Sequence, residues 1–169
     1  MTRFVTRFVI LAAPRTGSNL LCTLLQSHPD VLCHHEIFNP DGIFTALPLR
    51  GTDFNPGSMA ERDADPLGFL ERVWINNRGH KVVGFKMTHR QQALVFNKVC
   101  ADPGIHKIVL KRRSVLKTYV SYLLAERSGI WEDYRDIVTA VSPEPVAVDY
   151  QKLKAAIDFN ERYYTNLDA

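Results

Sequence analysis

Short unbroken apolar runs alternate along this chain with longer stretches of helical spacing. Arg3 to Ala12 is the first run, and its continuous apolar residues from Phe8 predict a strand buried on both faces, as in a parallel sheet. Asn19 to Ser27 carries Leu20, Leu21, Leu24 and Leu25 on one stripe, which predicts a helix that His28-Pro29-Asp30 stops. Val31-Leu32 predicts a short second strand. Lys81 to Met87 and Lys107 to Lys111 predict two more strands, with a helix from His89 to Ala101 ended by Asp102-Pro103-Gly104. Caps place the other helices. Asp65 precedes Pro66 and a helix to about Asn77, closed by Arg78-Gly79. Ser114 starts Val115 to about Arg127, ended by Ser128-Gly129, and Asp149 starts Tyr150 to about Leu167. Cys33 to Met59 is rich in Pro, Gly, Asn and Asp with no sustained period, and reads as a long functional loop. Ser142-Pro143-Glu144-Pro145 reads as a linker. Strands alternating with helices predict an α/β fold with a mainly parallel sheet flanked by helices.

The 169 residues suffice for one such domain, and 46% hydrophobic with 23% charged residues is ordinary for a globular protein. A net charge of +3 is too small to call for nucleic acid. Lys107, Lys111, Arg112, Arg113 and Lys117 form a basic cluster, but without the motif or interleaved aromatics of a nucleic-acid surface. Cys22, Cys33 and Cys100 have unrelated spacings, which suggests reduced thiols in a cytoplasmic protein. No zinc spacing occurs, and His34-His35-Glu36 on an extended segment would point its side chains alternately, so no metal is expected. Arg3 and Arg7 are not followed by an apolar stretch long enough for a signal peptide or a membrane span.

The chemistry concentrates at two strand-to-helix junctions. The first is Pro14-Arg15-Thr16-Gly17-Ser18-Asn19-Leu20-Leu21. Free amides at a helix start, with the positive end of its dipole, hold anions. Gly17 allows close backbone approach, Thr16 and Ser18 offer hydroxyls, and Arg15 offers a fork of N–H groups. The loop is not Walker A, since no Gly-Lys-Ser or Gly-Lys-Thr occurs, which disfavours a P-loop kinase. The dinucleotide fingerprint is absent too. The second junction is Lys111-Arg112-Arg113-Ser114, followed by helix to Tyr122. Arg113 and Ser121 are eight residues apart, a little over two turns, so both could converge on one phosphate.

Phe8 to Pro40 resembles the start of PAPS-dependent sulfotransferases, nearest to the bacterial nodulation and trehalose sulfotransferases. The likeness lies in Pro14 to Leu21 and continues through Ser27-His28-Pro29-Asp30-Val31 and Glu36-Ile37-Phe38-Asn39-Pro40. It extends to Arg113 and Ser121, Val120-Ser121-Tyr122 and Gly129-Ile130-Trp131. The resemblance implies a P-loop-NTPase-like sulfotransferase fold, PAPS as sulfuryl donor, and a sugar or glycolipid hydroxyl as acceptor. It implies that Arg15, Thr16, Gly17, Ser18 and Asn19 line the 5′-phosphosulfate site, and that Arg113 and Ser121 hold the 3′-phosphate. Glu36 matches the carboxylate that serves as general base, with Arg15 stabilising the leaving phosphate. His34 and His35 are the runner-up bases. Lys86, in Gly84-Phe85-Lys86-Met87, resembles a Gly-x-Lys feature that would line the substrate cleft, although a strand-end lysine commonly reaches water.

The family is longer than this chain. The expectation is therefore a single sulfotransferase-like domain, residues 1–169, lacking a C-terminal strand and the segment that covers the nucleotide. An uncovered edge would favour association into a homo-oligomer. The alternative class is a non-catalytic remnant or interaction module that keeps the anion-binding loop.

Overall fold

The computed structural model describes residues 5–89, 91–132 and 145–168. Arg3 and Phe4 of the first predicted strand, Arg90 of the helix predicted from His89, and Ser142, Pro143 and Glu144 of the predicted linker lie outside them. The chain divides into two compact units. One comprises Met1–Ala12 and Ser18–Leu110, the other Ala13–Gly17 and Lys111–Ala169.

The first unit is an α/β layer structure. Its strands are β1 (Thr6–Ala12), β2 (Val31–His34), β3 (Val82–Met87) and β4 (Ile105–Leu110), in the order β2-β3-β1-β4. Every pairing is parallel. The continuous apolar run predicts a central strand, and β1 is one: Val9, Ile10, Leu11 and Ala12 are all buried. Around the sheet run α1 (Ser18–Gln26), α2 (Met59–Ala64), α3 (Pro66–Ile75) and α4 (Ala93–Ala101).

Strand periodicity divides the core. Phe8, Ile10 and Ala12 of β1 cluster with Cys22, Leu21 and Leu25 of α1 and with Val82 of β3. Phe85 lies on the other face, 5.4 Å from the Trp74 ring of α3 and 5.7 Å from Phe38, ring centre to ring centre. Burial of each such aromatic contributes roughly 1.5–3 kcal/mol. Gly84 is explained by the register: it pairs with Phe8, and a Cβ there would stand 2.4 Å from the Phe8 ring. The alternation that puts Val82 and Gly84 toward α1 puts Lys86 on that same face, near the C-terminal end of β3.

The caps read from the sequence are present. Asp65 accepts from the Gly68 amide ahead of Pro66, and Ser114 accepts from the Lys117 amide. Asp149 accepts from the Lys152 amide. Strand and helix ends shift by a residue or more from the expected bounds, as β4 does, and two differences go further. The helix expected from His89 starts at Ala93, because Gln92 takes the cap position and accepts from the Leu94 amide. The stretch Cys33 to Met59 ends in the unforeseen α2, fixed by a reciprocal capping box between Ser58 and Glu61.

The second unit contains the segment Ala13–Gly17, α5 (Val115–Ser128) and α6 (Tyr150–Asp168), with α5 packed on α6. Its short segment follows β1, and Lys111 follows β4. Ala12 and Leu110 pair across those strands, so both segments start side by side.

Candidate functional site

In the second unit, Ala13–Gly17 is a braced loop. Arg15 has φ 63° and Gly17 has φ 92°. A left-handed arginine is held against a cost of about 1–3 kcal/mol, which the surrounding bonds must offset. The Ala13 amide donates to the Tyr164 hydroxyl of α6 at 3.0 Å, and the Thr16 hydroxyl donates to the Ala13 carbonyl at 2.8 Å. Arg112 Nη1 donates to the Arg15 carbonyl at 3.1 Å. Lys111 places its ammonium 5.3 Å from the centre of the Tyr164 ring.

Arg15 joins the two junctions singled out in the sequence. Its Nε donates to Ser121 Oγ at 3.0 Å and its Nη1 to the Trp131 carbonyl at 2.6 Å. Burial, and then the neighbouring Arg112 guanidinium, hold the Arg15 pKa below its ordinary value. A partly buried arginine facing another cation gains from a bound anion. Ser121, expected to meet a phosphate together with Arg113, bonds here to Arg15. Arg113 is exposed and makes no hydrogen bond among the described residues.

The first unit holds the other residues. Ser18 opens α1 and is 4% exposed. Asn19 Oδ1 accepts from Lys86 Nζ. Lys86 is buried and does not reach water: it pairs with Glu36 Oε1 at 2.6 Å, and its backbone amide donates to the His35 carbonyl at 3.2 Å. Glu36 Oε2 accepts from Asn39 Nδ2 and from Gln91 Nε2, both at 2.6 Å. Burial pushes the Glu36 carboxyl up, but the Lys86 ammonium and the bonds from Lys86, Asn39 and Gln91 outweigh it and hold the group below its usual value. One cluster therefore brings together Asn19, Glu36 and Lys86, three of the sequence-derived residues.

His34 and His35 are buried. The His34 ring stacks on Phe54 with centres 5.4 Å apart, and its Nδ1 accepts from the Ala46 amide at 3.2 Å. Burial first, then His35 and His80, drive its pKa down to about 3. That environment fits a core histidine.

Asn39, Gln91 and Arg62 escaped the sequence reading. The guanidinium of Arg62, 3% exposed, donates through Nη1 to the carbonyls of Ile37 (3.2 Å), Asn39 (2.8 Å) and Gly42 (3.2 Å). It thereby fixes the segment that carries Glu36 and Asn39. The spacing of Glu36 and Asn39 was a usable signal. Arg62 stands between Glu61 and Asp63, where its own neighbours in sequence carry no sign of burial. Among the described residues no group of three or more His, Cys, Asp or Glu could hold a metal ion. No described helix is long and apolar enough to cross a membrane.

The chain is similar to nodulation protein H of Rhizobium meliloti strain 1021, at 27% identity over 168 residues, 96% of this chain and 66% of that protein. A second Rhizobium meliloti nodulation protein H is 28% identical over 173 aligned positions, with the same coverage of each. Nodulation protein H of Rhizobium tropici is 26% identical over 162 residues, 92% of this chain and 61% of that protein. The chain thus spans a little under two thirds of the length of these relatives. No protein-family profile matches the chain, and no solved structure does.

Proposed function

We propose that this chain is a PAPS-dependent sulfotransferase that transfers a sulfuryl group to a hydroxyl of a carbohydrate or glycolipid, on a P-loop-like sulfotransferase fold. The observation that carries the reading is the bond from Arg15 to Ser121, which ties together the two junctions that a sulfotransferase would use for its donor's two phosphate ends. The resemblance of both junctions to nodulation sulfotransferases, and the similarity to three nodulation proteins H, support it.

In this reading Arg15, Thr16, Gly17, Ser18 and Asn19 contact the 5′-phosphosulfate, and Arg113 with Ser121 contacts the 3′-phosphate. Glu36 takes the proton of the acceptor hydroxyl. The acceptor oxygen then bonds to sulfur while the bond from sulfur to the phosphate oxygen breaks, and Arg15 stabilises the charge left on that phosphate. Arg113 is exposed and unbonded among the described residues, so its guanidinium is available to an incoming phosphate.

The test is transfer of labelled sulfate from PAPS to a panel of sugars, with calorimetry against PAP, the desulfated product. Arg113→Ala should weaken PAP roughly 10-fold or more, the scale of a charge-assisted contact, and weaken adenosine 5′-phosphosulfate much less. Glu36→Gln should bind PAP normally and transfer sulfate at least ~100-fold more slowly. No PAP binding by the wild-type chain, or equal losses for both nucleotides in Arg113→Ala, would overturn the assignment.

A further inference from the structure

The surroundings of Glu36 distinguish its two oxygens. A carboxylate offers about four lone-pair sites, two on each oxygen. Both sites on Oε2 are taken, by Asn39 Nδ2 and Gln91 Nε2. Neither amide is free to turn around. Gln91 Oε1 accepts from the Thr88 amide at 3.2 Å, and Asn39 Oδ1 accepts from the Asp41 amide at 2.9 Å. Each backbone N–H fixes the oxygen end, so each side chain must present its NH₂ to Glu36. Among the described residues Oε1 accepts only from Lys86 Nζ, the charged group that acts on Glu36, and keeps one lone-pair site. Lys86 Nζ has three hydrogens. Glu36 Oε1 and Asn19 Oδ1 take two, which leaves one beside the open site on Oε1.

We infer that Gln91 and Asn39 are positioning residues that hold Glu36 by Oε2, and that Oε1, on the Lys86 side, is the atom that takes the acceptor's proton. The inference rests on the proposed sulfotransferase reading and makes it atom-specific. The acceptor O–H bond breaks, its proton passes to Oε1, the oxygen bonds to sulfur, the bond from sulfur to the phosphate oxygen breaks, and the departing phosphate keeps the electron pair of that bond. The third Lys86 hydrogen can meet the same acceptor oxygen and fix its distance from Oε1. The two amides prevent the carboxylate from rotating to offer Oε2 instead.

The full chain, labelled with ¹³C at glutamate carboxyls, is titrated by NMR as wild type and as Gln91→Met, with Glu36→Gln to assign the signal. The variant loses a donor to the charged carboxylate, so its Glu36 midpoint should rise by about one pH unit. The acid limb of the kcat/KM profile for sulfate transfer should move up by the same amount, with PAP affinity unchanged. If Gln91→Met does not fold, Asn39→Ser removes the other amide and is read in the same way. An unmoved midpoint overturns the clamp. A raised midpoint with an unmoved acid limb overturns the assignment of the proton to Glu36. A raised midpoint in the variant, with no sulfate transfer by the wild-type chain, leaves the clamp standing and refutes the sulfotransferase reading, and the proton-accepting role with it.

Discussion

A histidine ring sealed against Phe54 has little reason to accept a proton, and His34 shows the consequence for stability. Its folded pKa, about 3, lies below the ordinary unfolded value of about 6.5. The unfolded chain therefore binds the proton first, so the stabilising contribution is full above pH 6.5 and is lost progressively as pH falls from there toward 3. From pH 7 to pH 5 the loss should be roughly 2 kcal/mol. Urea melts at the two pH values check it, and His34→Asn, which keeps an acceptor for the Ala46 amide, should flatten the slope while lowering stability overall. Equal slopes for the two proteins would contradict this placement of the ring. Glu36 acts in the same direction at lower pH. Its folded pKa is depressed, so its contribution is present above the usual glutamate range and fades as pH falls through it.

Short α2 has a larger role than its six residues suggest, because Arg62 reaches from it to three carbonyls of the segment around Glu36. Arg62→Met should destabilise the chain by about 3 kcal/mol, since several buried carbonyls lose their donor together. Hydrogen exchange should rise first at the Asn39 and Phe44 amides, which bond to the Glu36 carbonyl. Unchanged protection there would show that Arg62 does not fix the segment. The same element marks the limit of sequence reading. Caps such as Asp65 with Pro66, Ser114 and Asp149 are local, so the strands and long helices were legible to within a few residues. The Ser58-to-Glu61 capping box is equally local, but it stands at the end of a stretch with no sustained period, which hides the start of α2. At the site, Asn19, Glu36 and Lys86 all stand out in the sequence, yet their meeting depends on β3 placing Lys86 toward α1. Asn39 meets Glu36 three residues away, but Gln91 and Arg62 act on amides, carboxylates and carbonyls distant in sequence, and no local pattern announces such contacts.

For the molecule as a whole, the proposed nucleotide donor has a consequence for stability, because a ligand of the folded state alone must stabilise it. PAP at one hundred times its Kd should add about 2.7 kcal/mol. Thermal unfolding at rising PAP checks the value, and Arg15→Ala should remove most of it. A melting temperature indifferent to PAP would count against binding by this chain. The segment Ala13–Gly17 carries a different consequence, one of timing. Its amide at Ala13 is held by Tyr164, 151 residues further along the chain. A ribosome adding about 5–20 residues per second would supply that partner roughly 8–30 s after the loop itself. Every residue of the sheet is made before Tyr164, so β1 to β4 can pair while the loop still lacks its hydroxyl brace. The arginine with the strained backbone would then settle after the sheet, and its sampling of other conformations would narrow with the arrival of α6.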